Sequence, residues 1–134
     1  MLYQSTGIIR YHTAPLKLIV EVDPQISSYY RAMIPKWIHT QPQMYRTHIS
    51  VVRNEQPPNM GMWGRHDGEE VEFHYENIVR SGEVYIWLNV FSTRLELLRT
   101  ELGLLVDSPY TIPPPGFSKC FHITLGNFKH AQSK

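Results

Sequence analysis

The stretch KCFHITLGNFK, Lys119 to Lys129, alternates cleanly: Phe121, Ile123 and Leu125 are apolar, and His122, Thr124 and Gly126 stand between them. Side chains two residues apart share one face of a strand, so His122 and Thr124 project together from a strand whose other face is buried. An earlier stretch, MYRTHISVVRNE from Met44 to Glu55, follows the same pattern. His48 and Ser50 share one face there, with Thr47, Ile49 and Val51 on the other. The triplets are His48-Ile49-Ser50 and His122-Ile123-Thr124. One His-x-[Ser/Thr] match lies within chance for this composition; two, each in a strand, point to a paired site.

The flanking segments place these strands in two similar halves. GIIRYHTAPLKLIVEVDP is rich in β-branched and aromatic residues and is interrupted by Pro15, which predicts two short strands with a break. Asp23-Pro24 reads as an N-cap followed by proline at the first helical position. Ile26, Tyr29, Tyr30 and Met33 recur at helical spacing, giving an amphipathic helix that ends before Pro35. After the first His strand, NEQPPNMGMWGRHDGEE is a Pro- and Gly-rich loop. Two extended runs joined at Ser81-Gly82 form a hairpin. The clearest helix is FSTRLELLRTELGL: Thr93 and Glu96 make a capping box, Phe91, Leu95, Leu98 and Leu102 form one stripe, and Gly103 stops it. The loop VDSPYTIPPPGFSK then leads into the second His strand. This order predicts a single α+β domain, 1–134, with two antiparallel sheets.

The 134 residues suffice for one domain with its own core. A hydrophobic content of 42% with 19% charged is globular. A net charge of +1 supplies no strong field for duplex nucleic acid or an anionic membrane, but leaves room for a few local cations to hold a small anion. The single cysteine, Cys120, excludes an internal disulfide and suits a reducing compartment. The N-terminus lacks a basic leader followed by an apolar run, and no stretch is long enough to cross a bilayer, so the expected location is cytoplasmic.

Two imidazoles and two hydroxyls on strand faces suit phosphoryl transfer. One histidine takes a proton from an attacking hydroxyl or water, and the other gives one to the leaving oxygen. Ser50 and Thr124 can donate hydrogen bonds to the non-bridging oxygens where charge builds. No metal-ligand spacing such as His-Glu-x-x-His or Cys-x-x-Cys is present, so neither metal nor cofactor is expected. The remaining histidines, His12, His39, His66, His74 and His130, read as surface or loop residues.

The paired triplets resemble the signature of the 2H phosphoesterases. GIIRYHTAPLKLIVEVDP, YYRAMIPK, SPYTIPPPGFSK and FHITLGNFK more narrowly resemble the bacteriophage anti-CBASS phosphodiesterases. That resemblance implies a bilobal, RNA ligase-like fold: two antiparallel sheets flanked by helices around a central cleft. It implies metal-independent hydrolysis of 3′–5′ bonds in cyclic di- and trinucleotide messengers such as 3′,3′-cyclic GMP-AMP, a phage counter-defence in the host cytoplasm. It carries over His48, Ser50, His122 and Thr124 as the catalytic set. Two rival readings are a phosphodiesterase acting on RNA ends or 2′,3′-cyclic phosphates, and a module that sequesters nucleotides without chemistry.

A cyclic dinucleotide presents bases to stack and phosphates to neutralise. Tyr11 and Trp63 are the leading candidates for stacking, at about 1–3 kcal/mol per base. Trp37, Tyr110 and Phe117 rank below them, and Trp87 reads as core. Arg10, Lys17 and Lys119 are the candidate phosphate partners.

Overall fold

Residues 2–42, 46–108 and 111–128 are described by a computed structural model of the chain. The first strand, β1, is longer than expected, Leu2–Thr13, and the turn at Ala14-Pro15 returns the chain as β2, Leu16–Glu21. Helix α1, Pro24–Arg31, begins as the sequence predicts: the Asp23 carboxylate accepts from the Gln25 N–H at 2.9 Å, and Pro24 occupies a position whose N–H needs no partner. Its apolar stripe is only partly used, however. Tyr30 is buried against Tyr75, whereas Tyr29 and Met33 are 61% and 52% exposed. Burial and the neighbouring Tyr75 push the Tyr30 phenol up to about 12.

After the two-residue strand β3, Gln41–Pro42, come β4, His48–Arg53, and β5, Glu70–Glu76. A short β6, Arg80–Ser81, forms the expected hairpin with β7, Tyr85–Phe91, closed by the Gly82 N–H donating to the Tyr85 carbonyl at 3.0 Å. Helix α2, Thr93–Glu101, precedes β8, Phe121–Asn127. The cap of α2 lies one residue before the expected Thr93: the Ser92 hydroxyl accepts from the Leu95 N–H at 3.3 Å and itself donates to the Glu72 carbonyl at 2.9 Å. The predicted stripe of Phe91, Leu95, Leu98 and Leu102 is buried throughout, and Gly103 ends the helix at a φ of +80°.

The expectation of two sheets around a cleft is overturned by the strand pairing. The order β8-β4-β2-β1-β5-β7 continues back to β8, so these strands form a closed six-stranded antiparallel barrel, with β3 and β6 as short additions. Among the described residues the regular structure is mostly sheet, with two short α-helices, not a bilobal α+β arrangement. Closure is made by β7, which pairs with β8 along six residue positions, while the other edge of β8 meets β4. Ile9, Leu18, Val20, Ile49, Phe73, Leu88, Ile123 and Leu125 are fully buried in one core. Each contributes roughly 1.5–3 kcal/mol through the apolar surface it removes from water. Packed side chains fill the barrel's interior. Among the described residues, no helix is long and apolar enough to cross a membrane.

Candidate active site

The two triplets share one patch of the outer wall. β4 and β8 meet at Ile49 and Ile123, which face inward and are fully buried. Because the strands are antiparallel, Ser50 falls beside His122 and His48 beside Thr124, all on the outward phase. The histidines lie on a cross-strand diagonal, a spacing of roughly 7–8 Å between backbones. On the other edge of β8, Trp87 lies opposite Thr124 and Asn89 opposite His122.

Each histidine is held differently. His48 Nδ1 is 2.7 Å from the Arg46 carbonyl, which can only accept, so Nδ1 carries the hydrogen and Nε2 is left for chemistry. His122 packs its ring 5.2 Å from that of Trp87. Desolvation of the ring, and secondarily the Lys119 cation, lower its pKa from the usual imidazole value of 6.5, which favours the neutral form.

A cavity of about 540 Å³ opens on this wall, and Ser50, His122, Thr124 and Trp87 line it. His48 is not among its lining residues. Arg53, Arg99 and Lys119 bring three cations to the lining and Glu55 one carboxylate, on a chain whose net charge is only +1. Arg99 is 4% exposed and fully engaged. Its Nη1 donates to the Val51 carbonyl at 2.8 Å, Nε donates to the Leu105 carbonyl at 2.8 Å, and the fork grips Glu55 at 2.8 and 2.9 Å. The Arg99 hydrogen bonds hold the Glu55 carboxyl below its usual range. Lys119 is placed by Glu96, whose carboxylate accepts from the backbone N–H groups of Ser118 and Lys119 at 2.9 and 3.2 Å. Burial, reinforced by Arg99, lowers the pKa of the Lys119 ammonium. Burial pushes the Cys120 thiol up to about 11, so it stays protonated and is no nucleophile at neutral pH.

The structure brings together Ser50, His122, Thr124 and Lys119, with His48 on the same wall. It places the other candidates elsewhere. Tyr11 on β1 and Trp63, just after a short 3₁₀ turn at Met60–Met62, pack edge-to-face at 5.1 Å against the core, away from the cavity lining. Arg10 pairs with Glu21 at 2.9 Å, and Lys17 lies on β2 opposite Arg53. Trp37 is 79% exposed, and Phe117 packs on Phe91 at 5.6 Å. Tyr110 and His130 lie outside the described residues. His66, expected to be a plain loop residue, is gripped from both ring nitrogens by Glu69 at 2.7 Å and Glu101 at 3.1 Å.

Trp87 is the residue sequence reading misplaced. It is half-buried on the outer wall, not in the core, and its Nε1 donates to Asn89 at 2.8 Å. Asn89 in turn donates to Glu76 at 2.9 Å. The signal was its phase: Tyr85, Trp87 and Asn89 alternate with Ile86, Leu88 and Val90, which face the core. Arg53, Glu55 and Arg99 were also missed: simple alternation puts Arg53 on the face opposite His48 and Ser50 until the extra residue at Val51 shifts its phase, and Arg99 lies far off in sequence. Among the described residues, no group of three or more His, Cys, Asp or Glu side chains is placed to hold a metal ion. Searches of family models, curated proteins and solved structures each found no match to the chain.

Proposed function

We propose that the protein is a metal-independent phosphodiesterase that cleaves 3′–5′ bonds in cyclic di- and trinucleotides such as 3′,3′-cyclic GMP-AMP, of the two-histidine kind its motifs resemble. The observation that carries this reading is the meeting of both His-x-[Ser/Thr] triplets on one wall beside a cation-rich cavity. Cavities of this size hold compact organic ligands, and the two lining cations beyond the Arg99–Glu55 pair, Arg53 and Lys119, suit an anionic one. Trp87 offers an aromatic face at the cavity for a base.

In this mechanism the substrate's ribose 2′-hydroxyl attacks the adjacent phosphorus. His122, whose neutral form is favoured, takes the hydroxyl proton as the P–O2′ bond forms and the P–O5′ bond breaks. His48 delivers a proton from Nε2 to the departing O5′, and its Nδ1–H bond to Arg46 is kept in either protonation state. The product of this step is a 2′,3′-cyclic phosphate. Ser50 and Thr124 donate to the non-bridging oxygens, and Lys119 and Arg53 offset their charge.

The test is a product assay. Cyclic GMP-AMP is incubated with wild type, His48→Ala and His122→Ala, with and without chelator, and the products are separated by chromatography. Wild type should give linear product whether or not chelator is present, and each variant should lose at least about a hundredfold in rate, the scale of a general acid or base. Full activity in either variant would sink the mechanism, and chelator sensitivity would sink the metal-free claim. Recovery of intact ligand would favour sequestration. Cleavage of only a short RNA ending in a 2′,3′-cyclic phosphate would favour the RNA-end reading.

A further inference from the structure

Both motif strands break register at the same place. Along β2 and β4, Leu18 pairs with Val52 but Ile19 pairs with Ser50, so Val51 is an extra residue. Along β7 and β8, Ile86 pairs with Gly126 but Trp87 pairs with Thr124, so Leu125 is extra. Each bulge residue directly follows the motif hydroxyl, Ser50 in one strand and Thr124 in the other. A bulge takes its residue out of the ladder and re-aims the neighbouring side chains. Each bulge carbonyl is then taken by an arginine from a helix. Arg99 Nη1 on α2 donates to the Val51 carbonyl at 2.8 Å, and Arg31 Nη1, at the last residue of α1, donates to the Leu125 carbonyl at 3.0 Å. The donors are crossed: α1 lies in the first half of the chain and braces the second motif, and α2 braces the first.

We infer that Arg31 and Arg99 are paired positioning residues, each fixing the bulge that aims a motif hydroxyl at the substrate. Neither is assigned contact with substrate; their action runs through Val51 and Leu125 to Ser50 and Thr124. A guanidinium suits this task because its planar fork can hold a carbonyl and a second partner at once, which a lysine cannot match. Arg99 does so with Glu55 and Leu105. Beside Arg31 the backbone is drawn in close: a Cβ on Gly126 would stand 2.8 Å from Arg31 Nη1 and 2.6 Å from the Gln41 carbonyl oxygen. Glycine at that position therefore leaves the room the brace needs.

The inference rests on the proposed function for its catalytic meaning, and the experiment separates the two. Amide resonances are recorded for wild type, Arg31→Met and Arg99→Met, all shown folded by near-UV circular dichroism. Arg31→Met should displace the amides of 124–127 and spare 50–52, and Arg99→Met should do the reverse. Turnover of cyclic GMP-AMP should fall at least about tenfold in kcat with KM within about twofold, and Arg→Lys at either position should recover part of the loss. Changes spread evenly over both strands, or full kcat in a folded Arg→Met variant, would overturn the inference. If wild type turns over no cyclic dinucleotide, the proposed function fails while the crossed resonance pattern still decides the positioning claim. If a Met variant does not fold, the matching Arg→Gln variant carries the same readouts.

Discussion

Replacing Gly7 with alanine tests the close approach of β2 to β1 by the sign of one stability change. Gly7 is buried on β1 opposite Val71 of β5, just before Ile8, where β1 comes to pair with both β2 and β5. A Cβ there would stand 2.5 Å from a Val20 methyl, 2.6 Å from the Glu21 carbonyl oxygen and 3.2 Å from a Val22 methyl. Ordinary contact begins near 3.4 Å, so the new methyl overlaps its neighbours by nearly an ångström, and the Glu21 oxygen is backbone that cannot rotate away. Overpacking of this kind costs about 1–3 kcal/mol. Against it stands the gain of about 0.5–1 kcal/mol that alanine normally brings over glycine inside a strand. The net expectation is a loss of roughly 1–2 kcal/mol, read as a lower urea midpoint at unchanged slope in tryptophan fluorescence. Without that close approach, alanine would be neutral or stabilising. Gly7→Ala at or above wild-type stability would refute the tight packing of Val20 and Glu21 over this position.

Two further outcomes follow from the charges around the cavity. The acidic limb of kcat/KM should lie below pH 6.5, because burial and Lys119 keep His122 neutral to lower pH than a free imidazole, and Lys119→Met should move that limb upward. Glu55→Gln should cost at most about 1 kcal/mol at pH 7, since the carboxylate is 37% exposed and water competes for the Arg99 fork. The folded-state pKa of Glu55 is depressed, so its contribution is present above 4.5 and is lost as pH falls through the lowered value. Wild type and Glu55→Gln should therefore converge in stability in acid, as measured by urea unfolding across pH.

The element order and the paired triplets were legible in the sequence because both are local patterns. Alternation around His122 and Ile123 fixes which side chains face out, and Asp23-Pro24 marks a helix start without reference to anything distant. The barrel was not legible, since alternation in β7 and β8 is the same whether the sheet closes or stays open. Closure depends on pairings such as Asn89 with His122, which lie far apart in sequence. The expected ligand contacts at Tyr11 and Trp63 went elsewhere for the same reason: each aromatic found the other. The bulges at Val51 and Leu125 have no residue signature, as neither is a glycine. Arg31 and Arg99 look like ordinary basic residues near helix ends until the strands they reach are known.

A ring of strands also changes what the edges of a sheet offer. An open sheet ends in a row of unpaired N–H and C=O groups, onto which a second chain can add a strand. Here each of the six long strands has a neighbour on both sides, though β4 meets β8 at Ile49–Ile123 alone, and the remaining described strands, Gln41–Pro42 and Arg80–Ser81, are two residues each. Pro42 lacks a donor and Arg80 carries charge, both poor templates for strand addition. The barrel closure that gathers the two histidine motifs on one wall thereby leaves none of the six long strands as an open sheet edge.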